Sequence, residues 1–291
     1  MNLSSSYGFM SFTSNNVVDS TKEFLASGSF VAKLAFLFLV IFLFIVCLKI
    51  GIYLITVLLK PTSPQIINGM VDGKQLLIFP QDPSSTNSVL INRSNNASSG
   101  IEFTWSVWLY IDNINYNAGS YKHIFSKGND TLTSDPNKQG MIFPDNAPGL
   151  YLDKNTNNLV VVMNTFLGDS PTLDNVVEEI VVEDIPVNKW FNVMIIVENK
   201  NVDVFINGMV SKSVEIQTIP KQNYGNIYVG FNGGFDGNLS NLWYYDYCLG
   251  TYEIQNMMLT GPNLSLSSNS TLNKTNADYL SLRWYFGDGY Y

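Results

Sequence analysis

The chain has one histidine, two cysteines and few charges, with Asp, Glu, Lys and Arg together making up 14% of its 291 residues. Each shortage excludes something. A single histidine, His123, gives a Ser-His-Asp relay or a zinc site only one residue to build on, and no G-x-S-x-G elbow accompanies it. Cys47 lies inside an apolar run and Cys248 far along the chain, so the large C-terminal region can form no internal disulfide. A secreted β domain of this size would commonly hold one, and its absence leans toward folding in a reducing compartment. Soluble domains are usually about one-quarter charged; here Asn, Ser and Thr carry the polar share instead. Such a surface lacks charge repulsion, which fits a protein held in an assembly, covered by glycans or tethered to a membrane. The net charge is −8; Lys22, Lys33, Lys49 and Lys60 against Asp19 and Glu23 give +2 before residue 64, leaving −10 for the rest. No basic cluster interrupts that acidic remainder, which excludes nucleic acid as a partner. The one Gly-rich cluster, "NGGFDG" at 232–237, lacks the lysine and following helix of a phosphate loop.

What is present begins with "LAFLFLVIFLFIVCLKIGIYLITVLL", Leu34 to Leu59. About 20 apolar residues cross a bilayer, so residues 30–59 are predicted to form a single transmembrane helix, with Leu34, Phe38, Phe42 and Leu58 among its membrane-facing anchors. The run starts too late and is too long for the apolar core of a cleavable signal peptide. Lys49 falls within it, and two registers accommodate the charge. Either the span is Phe30 to Leu48 with Lys33 and Lys49 at its edges, or a tilted helix lets Lys49 snorkel to the interface. Positive charges flank both ends, so orientation stays open. Residues 1–29 read as a polar tail and 60–74 as a linker, with one large domain over 75–291.

From Gln75 onward the pattern is short strands separated by Gly, Asn, Asp and Pro, with one helical turn or two at 251–259. That pattern predicts an all-β sandwich or barrel. The stretch "FTWSVWLYI", Phe103 to Ile111, carries four aromatic residues in nine. Strand alternation puts Phe103, Trp105, Val107, Leu109 and Ile111 on one wholly apolar face, which must lie against a second sheet. Trp108 and Tyr110 remain on the other face as candidate ligand-binding rings, along with Thr104 and Ser106. A core role for Trp108 instead predicts roughly 3–5 kcal/mol of destabilisation for Trp108→Ala.

Four segments in order, "FTWSVWLYI", "HIFSKG", "KWFNVMIIVENKNVDVFINGMV" and "IYVGFNGGFDGNLSNLWYYDYCLGTYEIQNM", carry a resemblance. The succession is similar to laminin G-like domains of the concanavalin A-like lectin/glucanase superfamily. The resemblance implies an antiparallel two-sheet jelly-roll sandwich over roughly residues 75–260, behind the transmembrane helix. Within it, Asn207-Gly208 is a tight-turn signal between strands.

Glycoside hydrolases of that superfamily carry an acid pair about 5 Å apart on one strand. The nearest candidate, "VEEIVVEDI" with Glu178, Glu179, Glu183 and Asp184, lacks the central Asp and reads as a solvated edge strand, so no catalytic residue is assigned. Calcium, used by many laminin G-like domains, stays open: Asp112, Asp130, Asp135, Asp153, Asp169 and Asp236 sit at strand ends or loops, but in no binding spacing. No other cofactor is expected. Eight N-x-S/T triplets occur; Asn92, Asn96, Asn129 and Asn238 are candidate glycosylation acceptors, the others being Asn2, Asn263, Asn269 and Asn273. Two function classes follow. One is a membrane-anchored structural component packed against neighbouring subunits, of the kind suited to a large virus particle with an internal membrane. The other is a membrane-anchored module binding a glycan or protein. A membrane-bound glycoside hydrolase is the enzyme alternative, weakened by the missing acid pair.

Overall fold

A computed structural model describes residues 30–58, 64–85, 88–94, 96–97, 100–166 and 176–268. The chain separates into two compact units, Met1–Pro61 and Thr62–Tyr291.

In the first unit, α1 (Phe30–Leu58) runs unbroken through Lys49 and is apolar on all sides, with no polar face to turn toward water. Its stretch Lys33–Leu54, 22 residues, is long and apolar enough to cross a membrane. At 1.5 Å per residue this is roughly 33 Å, close to the thickness of a bilayer's hydrocarbon core.

The second unit is a sandwich of two antiparallel sheets. Its strands are β1 (Gln65–Asp72), β2 (Leu77–Phe79), β3 (Asn96–Ala97), β4 (Gly100–Asn113), β5 (Lys122–Gly128), β6 (Asn146–Leu152), β7 (Leu159–Thr165), β8 (Val176–Val182), β9 (Trp190–Glu198), β10 (Asn201–Ile206), β11 (Met209–Glu215), β12 (Asn226–Val229) and β13 (Asp236–Tyr245), followed by α2 (Thr251–Thr260). The first sheet runs β1-β13-β4-β9-β10-β11, with the short β3 added on β4; the second runs β2-β12-β5-β6-β7-β8. The chain therefore crosses repeatedly between layers, as in a jelly roll. The strand Tyr279–Phe286 expected from the sequence lies outside the described residues.

One expectation needs correction, and one element was not anticipated. Residues 65–72, read as linker, form β1, because Ile66, Ile67 and Val71 are buried and the strand zips onto β13. Met209–Glu215 forms an edge strand that the sequence conceals, since nearly every residue of it is exposed and no alternation marks a buried face. The tight turn at Asn207-Gly208 joins β10 to β11 as expected. Both residues have positive φ (51° and 77°), which is the requirement that favours this dipeptide.

The core forms between the sheets as the alternation of β4 requires. Phe103, Trp105, Val107, Leu109 and Ile111 are all buried there. Trp105 stacks on Phe125 of the opposing β5 at a centroid distance of 5.2 Å and tilts against Tyr244 of β13 at 5.0 Å. A third layer covers part of the first sheet's outer face. There Ile254 of α2 and Leu249 pack with Met194 and Ile196, and Met257 packs against the same cluster. The Ser106 hydroxyl lies 3.0 Å from the Met257 sulfur. Thr104 and Ser106, which face outward, are fully buried beneath this layer.

Candidate ligand-binding cleft

The helix leaves the β1–β13–β4 part of that outer face open, and a cleft of about 860 Å³ lies there. Trp243 and Tyr245 of β13 form its aromatic wall, stacked at 5.9 Å with their planes 16° apart. Trp108 of β4 is part of the lining but only 8% exposed. Amides complete the site: Gln65 and Asn68 from β1, Asn241 from β13, Asn256 from α2 and Asn263 beyond it.

The local cause of this arrangement is a bulge. Asn241 has φ 51°, and the β13 register shifts between Ser240 and Trp243. Asn tolerates the left-handed region better than most residues. The shift lets Leu239, Leu242 and Tyr244 all enter the core and sends Trp243 and Tyr245 outward. Asn241 is held in place by Gln65 Nε2 (3.1 Å) and the Gly69 N–H (3.3 Å), both donating to its Oδ1. Its NH2 group has no protein acceptor among the described residues and can donate to a ligand. Asn263 donates to Asn68 Oδ1 at 3.0 Å, tying the loop after α2 to β1.

Charge is nearly absent from the lining. Glu253 is its only carboxylate among the described residues, and both oxygens are engaged: Tyr247 OH donates to one at 2.8 Å and the Gly250 N–H to the other at 2.9 Å. Burial, reinforced by Glu253, pushes the Tyr245 phenol up to about 12, so it stays neutral and can donate a hydrogen bond. Aromatic faces beside neutral amides suit a neutral polyhydroxylated ligand, which offers C–H groups to the rings and hydroxyls to the amides.

The two rings proposed from the sequence take different places. Trp108 belongs to the cleft but is mostly covered. Tyr110 is half-buried, packs on Trp190 of β9 at 5.6 Å and is not part of the cleft lining, so the two do not form a joint platform. Trp243 and Tyr245 were missed because uninterrupted alternation from Leu239 assigns them to the core. The signal that could have found them is Asn241, a turn-tolerant residue in mid-strand.

Several of the other candidates are occupied by structural work. His123 is buried; its Nδ1 accepts from the Phe231 N–H (3.1 Å), so the proton is on Nε2, which donates to Ser126 Oγ at 2.8 Å. A base that donates to the hydroxyl cannot take its proton, so this pair is unsuited to activating a nucleophile. Glu178 and Glu179 are adjacent on β8 and point to opposite faces; one accepts from the Gln217 N–H and the other pairs with Lys138. Glu183 and Asp184 follow the strand in an exposed turn. Asp153 and Asp135 accept hydrogen bonds from their own turns, and Asp236 pairs with Lys74. Among the described residues no three His, Cys, Asp or Glu side chains gather as a metal-holding group. Asp169 lies outside the described residues.

The expected glycan acceptors also differ. Asn129 donates its Nδ2 to the Phe143 carbonyl and accepts from the Asp145 N–H, so a glycan on that nitrogen would compete with the contact to Phe143. Asn238 lies mid-sheet, paired with Asp72 and Tyr110. Asn92 is exposed, and Asn96 lies in β3.

Fold and cleft together define a lectin-like jelly-roll sandwich. The family model described as the concanavalin A-like lectin/glucanases superfamily matches residues 83–255, more than half of the chain, and the chain belongs to that superfamily. Among solved structures, it is similar to the botulinum neurotoxin serotype D binding domain (14% identity, TM-score 0.42, covering 67% of this chain and 50% of that one). It is also similar to the receptor-binding domain of botulinum neurotoxin type G (15%, TM-score 0.40, 66% and 46%). A third is the binding domain of botulinum neurotoxin DC in complex with rat synaptotagmin II (15%, TM-score 0.38, 55% and 36%). The chain thus spans between about a third and half the length of these structures. A search of curated proteins found no match.

Proposed function

We propose that the protein is a non-catalytic, membrane-tethered recognition module whose outer-sheet cleft holds a neutral glycan. The observation that carries this reading is the Trp243–Tyr245 stack beside the NH2 group of Asn241 in a cleft with almost no charge. The long apolar helix α1 supplies the tether. The reading requires no metal, and Glu253, the carboxylate among the described lining residues, is held by Tyr247 and the Gly250 N–H.

The test is an array of neutral oligosaccharides probed with the full chain in detergent micelles. Trp243→Ala and Tyr245→Ala are each expected to weaken binding by about tenfold or more, the loss of roughly 1.4 kcal/mol or more of stacking and contact. Trp243 is half-buried at the cleft wall, so its substitution should move the unfolding midpoint little, whereas Tyr245→Ala also removes packing on the Met194–Ile254 cluster and should lower it modestly. An array that stays dark for the unmodified chain, or binding equal in all three proteins, would sink the glycan reading.

A second reading, permanent packing against a neighbouring subunit, has one observation in its favour. Met209, Val210, Tyr252 and Leu259 are exposed apolar residues on β11 and α2. A fixed-stoichiometry complex disrupted by Leu259→Glu but untouched by Trp243→Ala would favour it. Nothing in the fold points specifically to a virus particle.

A further inference from the structure

A second, smaller space opens at one end of the sandwich, between the two sheets, with a volume of about 120 Å³. Its walls include Phe103, Trp105 and Tyr244 from the first sheet and Lys127 and Ala147 from the second, with Arg93 in the lining as well. Two features set it apart from ordinary core. The indole N–H of Trp105, a residue 1% exposed, is buried without an acceptor. Lys127 is 7% exposed, yet its ammonium donates to a single acceptor, the Gly225 carbonyl at 2.7 Å, although it carries three N–H groups. Among the described residues no Asp or Glu lines the space, and Arg93 is exposed and lies over the Tyr224 ring. Burial lowers the Lys127 pKa to about 8, which leaves the ammonium largely charged near neutrality.

Two buried donors thus lack a counter-charge, in a space walled by aromatic and aliphatic groups and by the amides of Gln81, Asn92, Gln222 and Asn223, of which the Gln81 and Asn223 oxygens already accept from the Ile91 and Gly225 N–H groups. A buried N–H without a partner is disfavoured by roughly 1–3 kcal/mol. A buried ammonium without a counter-charge is disfavoured further. The group that would satisfy both is a carboxylate, which accepts through two oxygens and has no proton to place. The volume is close to that of an apolar protein cavity of about 150 Å³ that admits benzene, which sets the size of the body behind the carboxylate at a few carbon atoms.

We propose that this inter-sheet pocket is a binding site for a small organic carboxylate, with Lys127 and the Trp105 indole N–H holding the carboxylate and Phe103, Tyr244 and Ala147 enclosing its apolar body. The site is separate from the outer cleft and stands or falls independently of the glycan reading.

The experiment follows the indole N–H resonances of the five tryptophans in the full chain, isotopically labelled and held in detergent micelles. Trp105→Phe identifies the resonance of interest by its disappearance. Titration with butyrate should shift that resonance saturably in the millimolar range, whereas 1-butanol and butylammonium should leave it in place. Lys127→Met should weaken butyrate binding by tenfold or more. Ala147→Val, which retains the charge but fills the space, should do the same, and it decides the matter should the Lys127 variant fail to fold. A Trp105 resonance unmoved at tens of millimolar butyrate would overturn the proposal. So would an equal response to butanol, or binding that survives the Ala147→Val substitution unchanged.

Discussion

Lowering the pH from about 7 to about 4 is expected to remove roughly 3 kcal/mol from the stability of the sandwich through one residue, His123. Full burial depresses its pKa from 6.5 to about 3, since a charged imidazolium in that site would lose its hydration and its Nδ1 acceptor role toward Phe231. The sign follows from proton binding. In the unfolded chain the imidazole gains a proton below about 6.5, whereas the folded chain cannot accept one until about 3. The stabilisation is therefore complete above the unfolded value and is lost as pH falls from 6.5 toward 3. Because His123 is the only histidine, no other histidine adds to that window. Asp82 and Asp153, whose pKa values are lowered mainly by hydrogen bonds from Ser84 in the first case and by hydrogen bonds from their own turn outweighing burial in the second, respond below 3.8. Denaturant unfolding of the full chain, followed by tryptophan fluorescence across this range, gives the slope directly. His123→Gln should start from a lower stability and show a much flatter slope. A slope identical to that of the unmodified chain, or an imidazole resonance that titrates near 6, would refute the buried neutral state.

Trp105→Ala is expected to destabilise the sandwich by about 3–5 kcal/mol, enough to unfold a marginal domain. The indole bridges the two layers, with Phe125 of the second sheet on one side and Tyr244 of the first against it. Removing it leaves a void between strands fixed by their ladders, which cannot collapse to fill it. Trp108→Ala should cost less, about 2–3 kcal/mol, because its void would open onto the cleft and admit water. It should also weaken any ligand held against Trp243. The two substitutions, three residues apart on one strand, thus separate by magnitude and by whether binding is affected at a temperature where both remain folded. Equal losses of stability with no effect on binding would place both rings in the core alone.

The contrast between those two tryptophans shows what was legible in the sequence. Period-two alternation in Phe103–Ile111 gave the core face of β4 correctly, since both flanking strands and the opposing sheet impose the same pleat. It could not show that the opposite face is itself half covered, because that depends on where α2 lands after the strand ends. Ile254 and Met257 look in sequence like part of an ordinary short amphipathic helix, and only the fold reveals that they, with Leu249 just before it, bury Thr104 and Ser106. The cleft was hidden for a related reason. One left-handed residue, Asn241, changes the phase of β13, and a reading by strict alternation then exchanges core and surface for every later residue. The missed β1 had its own cause: eight residues containing Asn68 and Gly69 read as spacer unless their partner, about 170 residues later, is already known. The family resemblance gave the two-sheet sandwich but carried no information about these outer-face details.

The pairing of β1 with β13 also determines how force would travel. Gln65, the first residue of β1, follows the end of α1 by a few residues of chain, and it lies in register with Trp243. A ligand gripped by Trp243 and Tyr245 and pulled away from the tether would pass its load from β13 across one two-strand ladder into β1 and on to the helix. The rest of the sandwich would sit outside that path. Tension would therefore be borne by the hydrogen bonds between Gln65–Asp72 and Asn238–Trp243, with the bonds of Met70 to Ser265 and Ser267 beside them, and the strength of attachment would depend on how these seams along β1 hold.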